Sequence, residues 1–267
     1  MRRFILPAVC VLTAATAFGQ APAPAPTAGK KVTNGFGPKS KPEQKAVQDL
    51  LQGQTPDDKI KAADALVTAF PMTDYKPFAL EIEAEAYQGK GDNTKAIVYA
   101  EQALMADPKW FDADNLLANV IAATTRDTDL DKDDKLAKAE KYAHDSLDTL
   151  GTIAKPPLWG NLTDDQWMKL KAGSEASAYQ ALGMIALVRK KNDEAIANFE
   201  KGLAASPDPL LMIRLGRVYL AEKKNDEAIT WYDKVINSAD APAQYKSIAQ
   251  SDKARAVQAK GASAAKQ

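Results

Sequence analysis

Apolar residues recur every three to four positions along most of this chain, and the alternation typical of strands is rare. Ile60, Ala63 and Phe70, for example, are spaced so that they fall on one face of a helix. Prolines and short polar turns separate successive segments of this kind. The pattern predicts one all-helical domain from residue 41 to residue 260.

One heptapeptide occurs twice. The sequence KKNDEAI at 190–196 returns at 223–229, a spacing of 33 residues. A period in the low thirties fits one helical hairpin, which is too small to bury its own apolar face and is stable only when stacked on neighbours. The chain is therefore predicted to be a repeat protein.

The hairpins resemble the tetratricopeptide repeat, whose first helix carries Leu-Gly and Tyr and whose second helix carries Ala, an aromatic residue and a closing Pro. The fifth hairpin fits this pattern with Met212, Leu215, Gly216, Tyr219, Ala228 and Tyr232. The fourth fits with Tyr179, Leu182, Gly183, Ala195, Phe199 and Pro207. In the second hairpin, Glu83 and Ala84 replace Leu-Gly, and Ala100 replaces the aromatic residue. The resemblance implies an all-α, right-handed superhelical solenoid of about five hairpins with a C-terminal capping helix.

The two ends of the chain have a different composition. Arg2 and Arg3 precede a short apolar run, and a small-residue site before Gln20 indicates a signal peptide over 1–19. An Ala/Pro/Gly-rich linker at 20–40 and a tail at 261–267 are predicted to be disordered. The mature chain is expected to be exported, either periplasmic or secreted, and to have no membrane span.

Charge and residue inventory exclude several functions. The chain has 35 basic and 35 acidic residues, so neither nucleic acid nor an anionic membrane is an expected partner. His144 is the only histidine and Cys10 falls within the signal, which excludes a histidine-based triad or a zinc site in the mature chain. No carboxylates are spaced as an acid and base pair, and the chain is predicted not to be an enzyme.

An acidic insertion in the third hairpin is the one candidate metal site. Asp129, Asp131, Asp133 and Glu140 stand at the offsets that a twelve-residue calcium loop uses for its ligands. Asp134 occupies the position that favours Gly, and two lysines lie within the loop. A calcium site and a solvated acidic turn therefore both remain open, and no other cofactor is predicted.

In tetratricopeptide arrays the first helices line a concave groove that binds peptides or partner helices. Alignment to the Leu-Gly positions places eight side chains on that surface: Glu81, Glu85, Asn115, Asn119, Gln180, Met184, Arg214 and Arg217. The amides suit a peptide backbone, and the two arginines suit a carboxylate. The alternative is a hydrated concave face without a ligand. Trp159 and Trp167, in the linker before the fourth hairpin, are expected either at an interface or pinning that linker onto the solenoid.

The sequence thus predicts a non-enzymatic interaction scaffold of the cell envelope that binds a partner peptide or helix in its groove. The alternative is an exported solute protein that binds calcium or a small ligand. A third hypothesis is an enzyme subunit that is inactive alone.

Overall fold

A computed structural model describes residues 35–264, and the predicted signal peptide lies outside the described residues. Within this part of the chain there are eleven α-helices, one short 3₁₀ turn at Pro157–Trp159 and no strand. The helices are α1 Lys41–Gln52, α2 Pro56–Ala69, α3 Lys76–Gly89, α4 Asn93–Ala106, α5 Phe111–Thr124, α6 Lys132–Thr152, α7 Asp164–Val188, α8 Asn192–Ala205, α9 Pro209–Ala221, α10 Asn225–Asn237 and α11 Ala243–Ala264.

The helices form five hairpins followed by an end helix. Each odd-numbered helix packs on the even-numbered helix that follows it, and each hairpin packs on the next. Buried apolar clusters run between the hairpins, because a single pair of helices has too little area to bury its own apolar face. The predicted all-α solenoid of five hairpins with a capping helix is confirmed.

The repeated heptapeptide forms the same turn twice. Lys190 and Lys223, the first residue of each copy, both have a φ of 61°, in the left-handed region. This conformation lets the amide of the next residue reach back into the first helix: the Lys191 N–H donates to the Ala186 carbonyl, and the Lys224 N–H to the Tyr219 carbonyl, both at 2.9 Å. In the second hairpin Gly91, with a φ of 79°, occupies the equivalent position.

Glycines of the repeat pattern mark the points where the two helices of a hairpin approach most closely. A Cβ placed on Gly216 would lie 2.6 Å from the ring of Tyr232, and one on Gly183 would overlap the ring of Phe199. Gly183 and Gly216 therefore have a structural role in this packing. Where the second hairpin lacks the aromatic residue it also lacks the glycine: Ala84 and Ala100 are both fully buried in one cluster.

The ordered region is longer than predicted at both ends. Phe36, placed in the linker, packs on the ring of Tyr75 with centroids 5.0 Å apart, and the Gly37 N–H donates to Asp74 at 3.0 Å. At the other end α11 continues to Ala264, beyond the predicted boundary at residue 260. Tertiary contacts and helix continuation, which composition does not report, explain both differences.

No helix within residues 35–264 combines the length and the apolar character that crossing a bilayer requires.

Candidate partner-binding groove

A cavity of the described region lies on the face formed by the first helices of successive hairpins. It has a volume of about 1000 Å³, is open to solvent, and is lined by side chains of α1, α3, α5 and α7. Its apolar walls include Leu50, Phe78, Ile82, Leu116 and Leu170. We refer to this cavity as the groove.

One wall of the groove is made by the linker before the fourth hairpin. Leu158 is 3% exposed within the apolar cluster of the first two hairpins, and Trp159 packs edge-on against Phe78 with centroids 6.1 Å apart. Farther along, Trp167 of α7 is buried against Phe111 with centroids 6.3 Å apart. Of the two alternatives for these tryptophans, the structure therefore supports pinning the linker onto the solenoid.

Five of the eight predicted groove residues line the cavity: Glu81, Glu85, Asn115, Asn119 and Gln180. The two glutamates come from α3, the two asparagines from α5 and the glutamine from α7. Their convergence follows from the repeat register, because equivalent positions of successive first helices face the same side of a solenoid.

The amide side chains of this set hydrogen-bond within the chain. Asn115 Nδ2 donates to the Ser174 carbonyl at 2.9 Å, and Asn119 Nδ2 donates to the Ser177 carbonyl at 3.1 Å. Gln180 Nε2 donates to Asn119 Oδ1 at 2.9 Å. These bonds join α5 to α7 and fix the shape of the groove floor. The amides thus hold two helices together, a role that the sequence prediction of free peptide-binding amides did not include.

The remaining three predicted groove residues do not line the cavity. Met184 is half-buried against the apolar clusters of the third to fifth hairpins. Arg217 Nε donates to the buried Asp252 of α11 at 2.6 Å. Arg214 is half-buried, and burial together with the charge of Arg217 lowers its pKa.

The physical reason is the position of the end helix. α11 packs on α9 as well as on α10, and its Asp252 holds Arg217 in an ion pair. The predicted groove arginines, Arg214 and Arg217, therefore do not extend the cavity in this structure.

Three carboxylates meet at the floor of the groove. Glu81 Oε2 accepts a hydrogen bond from Trp110 Nε1 at 2.7 Å, and Asp112 Oδ1 accepts one from Ser174 Oγ at 3.0 Å. Glu85 lies one helical turn beyond Glu81 and also lines the cavity. We call Glu81, Glu85 and Asp112 the acidic trio.

Burial raises the pKa of each member of the acidic trio. Glu81 is only 8% exposed, and its pKa lies well above the usual range because of burial, with the charges of Asp112 and Glu85 adding to the effect. Burial raises the pKa of Asp112 to about 7, against the hydrogen bond from Ser174. Glu85 is exposed to groove water, yet the surrounding walls exclude enough solvent to raise its pKa, while Lys59 opposes the shift.

Asp112, Trp110 and Ser174 were not predicted as groove residues. In the sequence, Asp112 has the character of an ordinary acidic residue of a first helical turn, where it complements the helix dipole. Ser174 belongs to a part of α7 that precedes the repeat pattern. No spacing in the sequence signals that these residues meet.

The structure does not bring the predicted calcium ligands together. Asp129 and Asp131 both pair with Lys135, at 3.2 and 2.8 Å, and Glu140 pairs with Arg189 at 2.8 Å. Within residues 35–264, no group of three or more His, Cys, Asp or Glu side chains is arranged to hold a metal ion. The reason is that α6 begins at Lys132, inside the predicted loop, so that Asp133 lies in a helix.

Comparisons with known proteins agree with this architecture. Family models described as tetratricopeptide repeat match residues 181–244 and 80–109. A crystal structure of a thermophilic TPR protein from Thermus thermophilus is similar in fold, with a TM-score of 0.58 at 18% identity over 79% of this chain and 96% of that chain. The assembly chaperone of RpL4 (Acl4) aligns at 12% identity over 86% of this chain and 100% of that one, with a TM-score of only 0.42. No curated protein matches the chain.

A stack of helical hairpins with a groove along its first helices defines a helical-repeat scaffold. Residues 80–109 and 181–244 match models of the tetratricopeptide repeat, and the fold of the described residues is that of a tetratricopeptide-repeat solenoid. Such repeats indicate a scaffold for interaction with other proteins and are generally not catalytic.

Proposed function

We propose that this protein is an exported, non-enzymatic scaffold of the cell envelope that binds a segment of a partner protein in the groove. One observation above all supports the proposal: a cavity of about 1000 Å³ opens on the face formed by four successive first helices. Cavities of this size, with apolar walls and a few polar groups, are typical of binding sites.

The groove is preformed in the unbound protein. Hydrogen bonds from Asn115 and Asn119 hold α5 against α7, and the packing of Trp159 on Phe78 holds the linker wall in place. A preformed surface reduces the ordering cost of association. This supports recognition of a flexible segment by a rigid site.

Export is supported by the sequence alone, through the basic and apolar start of the chain and the small residues before Gln20. It is tested by fractionating the native cells and determining the N-terminus of the protein. The expected result is a chain beginning at Gln20 in the envelope fraction. An uncleaved Met1 in the cytoplasmic fraction would refute export.

Partner binding in the groove is tested by site-specific photo-cross-linking. A photoreactive amino acid is placed at Lys169, which lines the groove, and in a matched variant at Lys171, which is on the same helix but outside the groove lining. Each variant is expressed in the native cells, irradiated, and analysed by mass spectrometry.

We expect one or a few proteins to be cross-linked from position 169 and not from position 171. Equal cross-linking from both positions, or from position 171 alone, would contradict groove binding. Because the two sites lie only two positions apart on α7, we expect the two variants to be expressed, exported and folded to the same extent.

A further inference from the structure

The charge of the groove is concentrated at its floor. The acidic trio supplies three carboxylates from α3 and α5, and each of them lines the same cavity. The groups interact electrostatically, since the charge of Glu85 acts on both Glu81 and Asp112. Like charges held close together in a partly enclosed space favour a cation among them.

A second, independent observation comes from Asn115. Its side chain lines the groove and is 5% exposed, and its Oδ1 accepts no hydrogen bond from the described residues. A buried acceptor without a donor is costly, and most such groups have a partner. Beside three carboxylates, this acceptor adds to the need for a ligand that donates hydrogen bonds.

The positive residues around the groove do not neutralise its floor. Lys59 of α2 and Lys169 of α7 line the cavity, but neither makes an ion pair of 4.0 Å or less with any described carboxylate. Lys59 acts on Glu85 through its charge alone. When fully ionised, the acidic trio therefore exceeds the nearby cations by one charge, three against two.

The arrangement fits a side-chain cation rather than a metal ion. The acidic trio is not arranged around a single point as ligands of an ion would be. Ammonium and guanidinium groups carry several diverging donors that reach separate acceptors. The walls formed by Phe78, Ile82 and Leu116 suit the aliphatic stem of the same side chain.

From these observations we propose that the floor of the groove binds the side chain of a lysine or arginine from an extended segment of the partner protein. This inference rests on the proposed scaffold function and names the chemistry of the segment that the groove selects. The stem packs on the apolar walls, and the charged end pairs with the acidic trio, beside the buried side chain of Asn115.

The proposal has a pH signature. Asp112, with a pKa of about 7, loses its charge as the pH falls through neutrality, and the raised pKa of Glu81 and Glu85 acts in the same direction. Lys59 and Lys169 are the cations that face the site from α2 and α7. Binding of a lysine side chain should therefore weaken on acidification.

The test uses synthetic peptide pools with a fixed central residue and mixed flanking residues. The central residue is lysine, arginine, norleucine or glutamate, and retention on the immobilised mature protein is read by mass spectrometry. We expect the lysine and arginine pools to be retained at least about tenfold better than the norleucine pool, a typical effect of a charge-assisted hydrogen bond. The indole N–H resonance of Trp110, which donates to Glu81, should shift on binding.

Neutralising the site separates binding from folding. Asp112→Asn and Glu85→Gln should each reduce the preference for lysine about tenfold. Because both substitutions remove a carboxylate whose ionisation the fold opposes, the unfolding midpoint should stay the same or rise. Glu227→Gln, an exposed glutamate on α10 outside the groove, is the matched control and should change neither property.

Three results would overturn the inference: equal retention of the lysine and norleucine pools, a lysine preference that survives both neutralising variants, or binding of n-butylamine as strong as that of the peptides. The proposed function is judged separately. If cross-linking from position 169 persists while the lysine preference is absent, the scaffold stands and only the cation chemistry fails. If peptides bind but position 169 captures no partner, the scaffold function fails.

Discussion

Glu83 occupies a position where the tetratricopeptide pattern has leucine, and the structure shows why this matters. Its side chain is 1% exposed in α3, and its Oε1 has no hydrogen-bond partner among the described residues. Burial, together with the charge of Asp64 on α2, raises its pKa to about 7, although a hydrogen bond from Tyr99 and the charge of Lys95 oppose the shift. We predict that Glu83→Leu stabilises the fold.

The magnitude follows from proton linkage. An unperturbed glutamate titrates near pH 4.5, so between that value and about pH 7 the folded state binds more protons at this site than the unfolded state. The stability of the native protein must then decrease as the pH rises through this window. Since one pKa unit is worth about 1.4 kcal/mol, the ionised side chain costs the fold about 3 kcal/mol above neutrality.

Leucine has a similar volume and carries no charge, so Glu83→Leu removes this cost. Losing the hydrogen bond from Tyr99 costs about 1 kcal/mol, which offsets part of this gain. We therefore expect a net gain of about 2 kcal/mol in the free energy of unfolding near pH 8, and a change within about 1 kcal/mol of zero near pH 4.5. Urea unfolding followed by far-UV circular dichroism at both pH values measures the difference.

Glu83→Gln is the control that removes the charge and keeps a polar side chain able to accept from Tyr99. The stability gained by Glu83→Gln should depend on pH in the same way as the stability gained by Glu83→Leu. A Glu83→Leu protein that is less stable than the native one near pH 8, or a gain that does not change with pH, would refute the reasoning.

Two further predictions concern packing and metal binding. Phe199→Ala should lower the free energy of unfolding by about 3 to 5 kcal/mol, because the ring is fully buried against Gly183. Phe36→Ala, at the exposed start of the fold, should lower it by less than about 1 kcal/mol. Urea denaturation measures both losses, and equal losses would contradict the packing. Millimolar calcium should leave the thermal midpoint unchanged, because Lys135 and Arg189 already pair with three of the four predicted ligands. A calcium-dependent rise of the midpoint in scanning fluorimetry would instead support a calcium site in this loop.

Much of the candidate site could be predicted because it follows the repeat register. Glu81 and Glu85 lie on the same first-helix face as Asn119 and Gln180 do in later hairpins, and all four line the groove. The third member of the acidic trio could not be predicted from the sequence, because Asp112 comes near Glu81 and Glu85 only through the packing of α5 beside α3. The sequence shows Glu83 as a departure from the repeat pattern. The free-energy cost of burying its ionised carboxylate depends on the neighbours that surround it in the fold.

By itself the sequence determined the helical class, the hairpin period and the inter-helix turns, because these depend on local propensities and on contacts that recur every 33 residues or so. The left-handed turns at Lys190 and Lys223 and the pairing of Gly216 with Tyr232 are such features. Only the tertiary structure decided what covers the ends and walls of the array. Asp252 pairs with Arg217 and Trp159 packs on Phe78 across long separations, where no period or propensity specifies the contact. Those contacts depend on the path of a linker and the docking of an end helix, which are set by the packing of the whole solenoid.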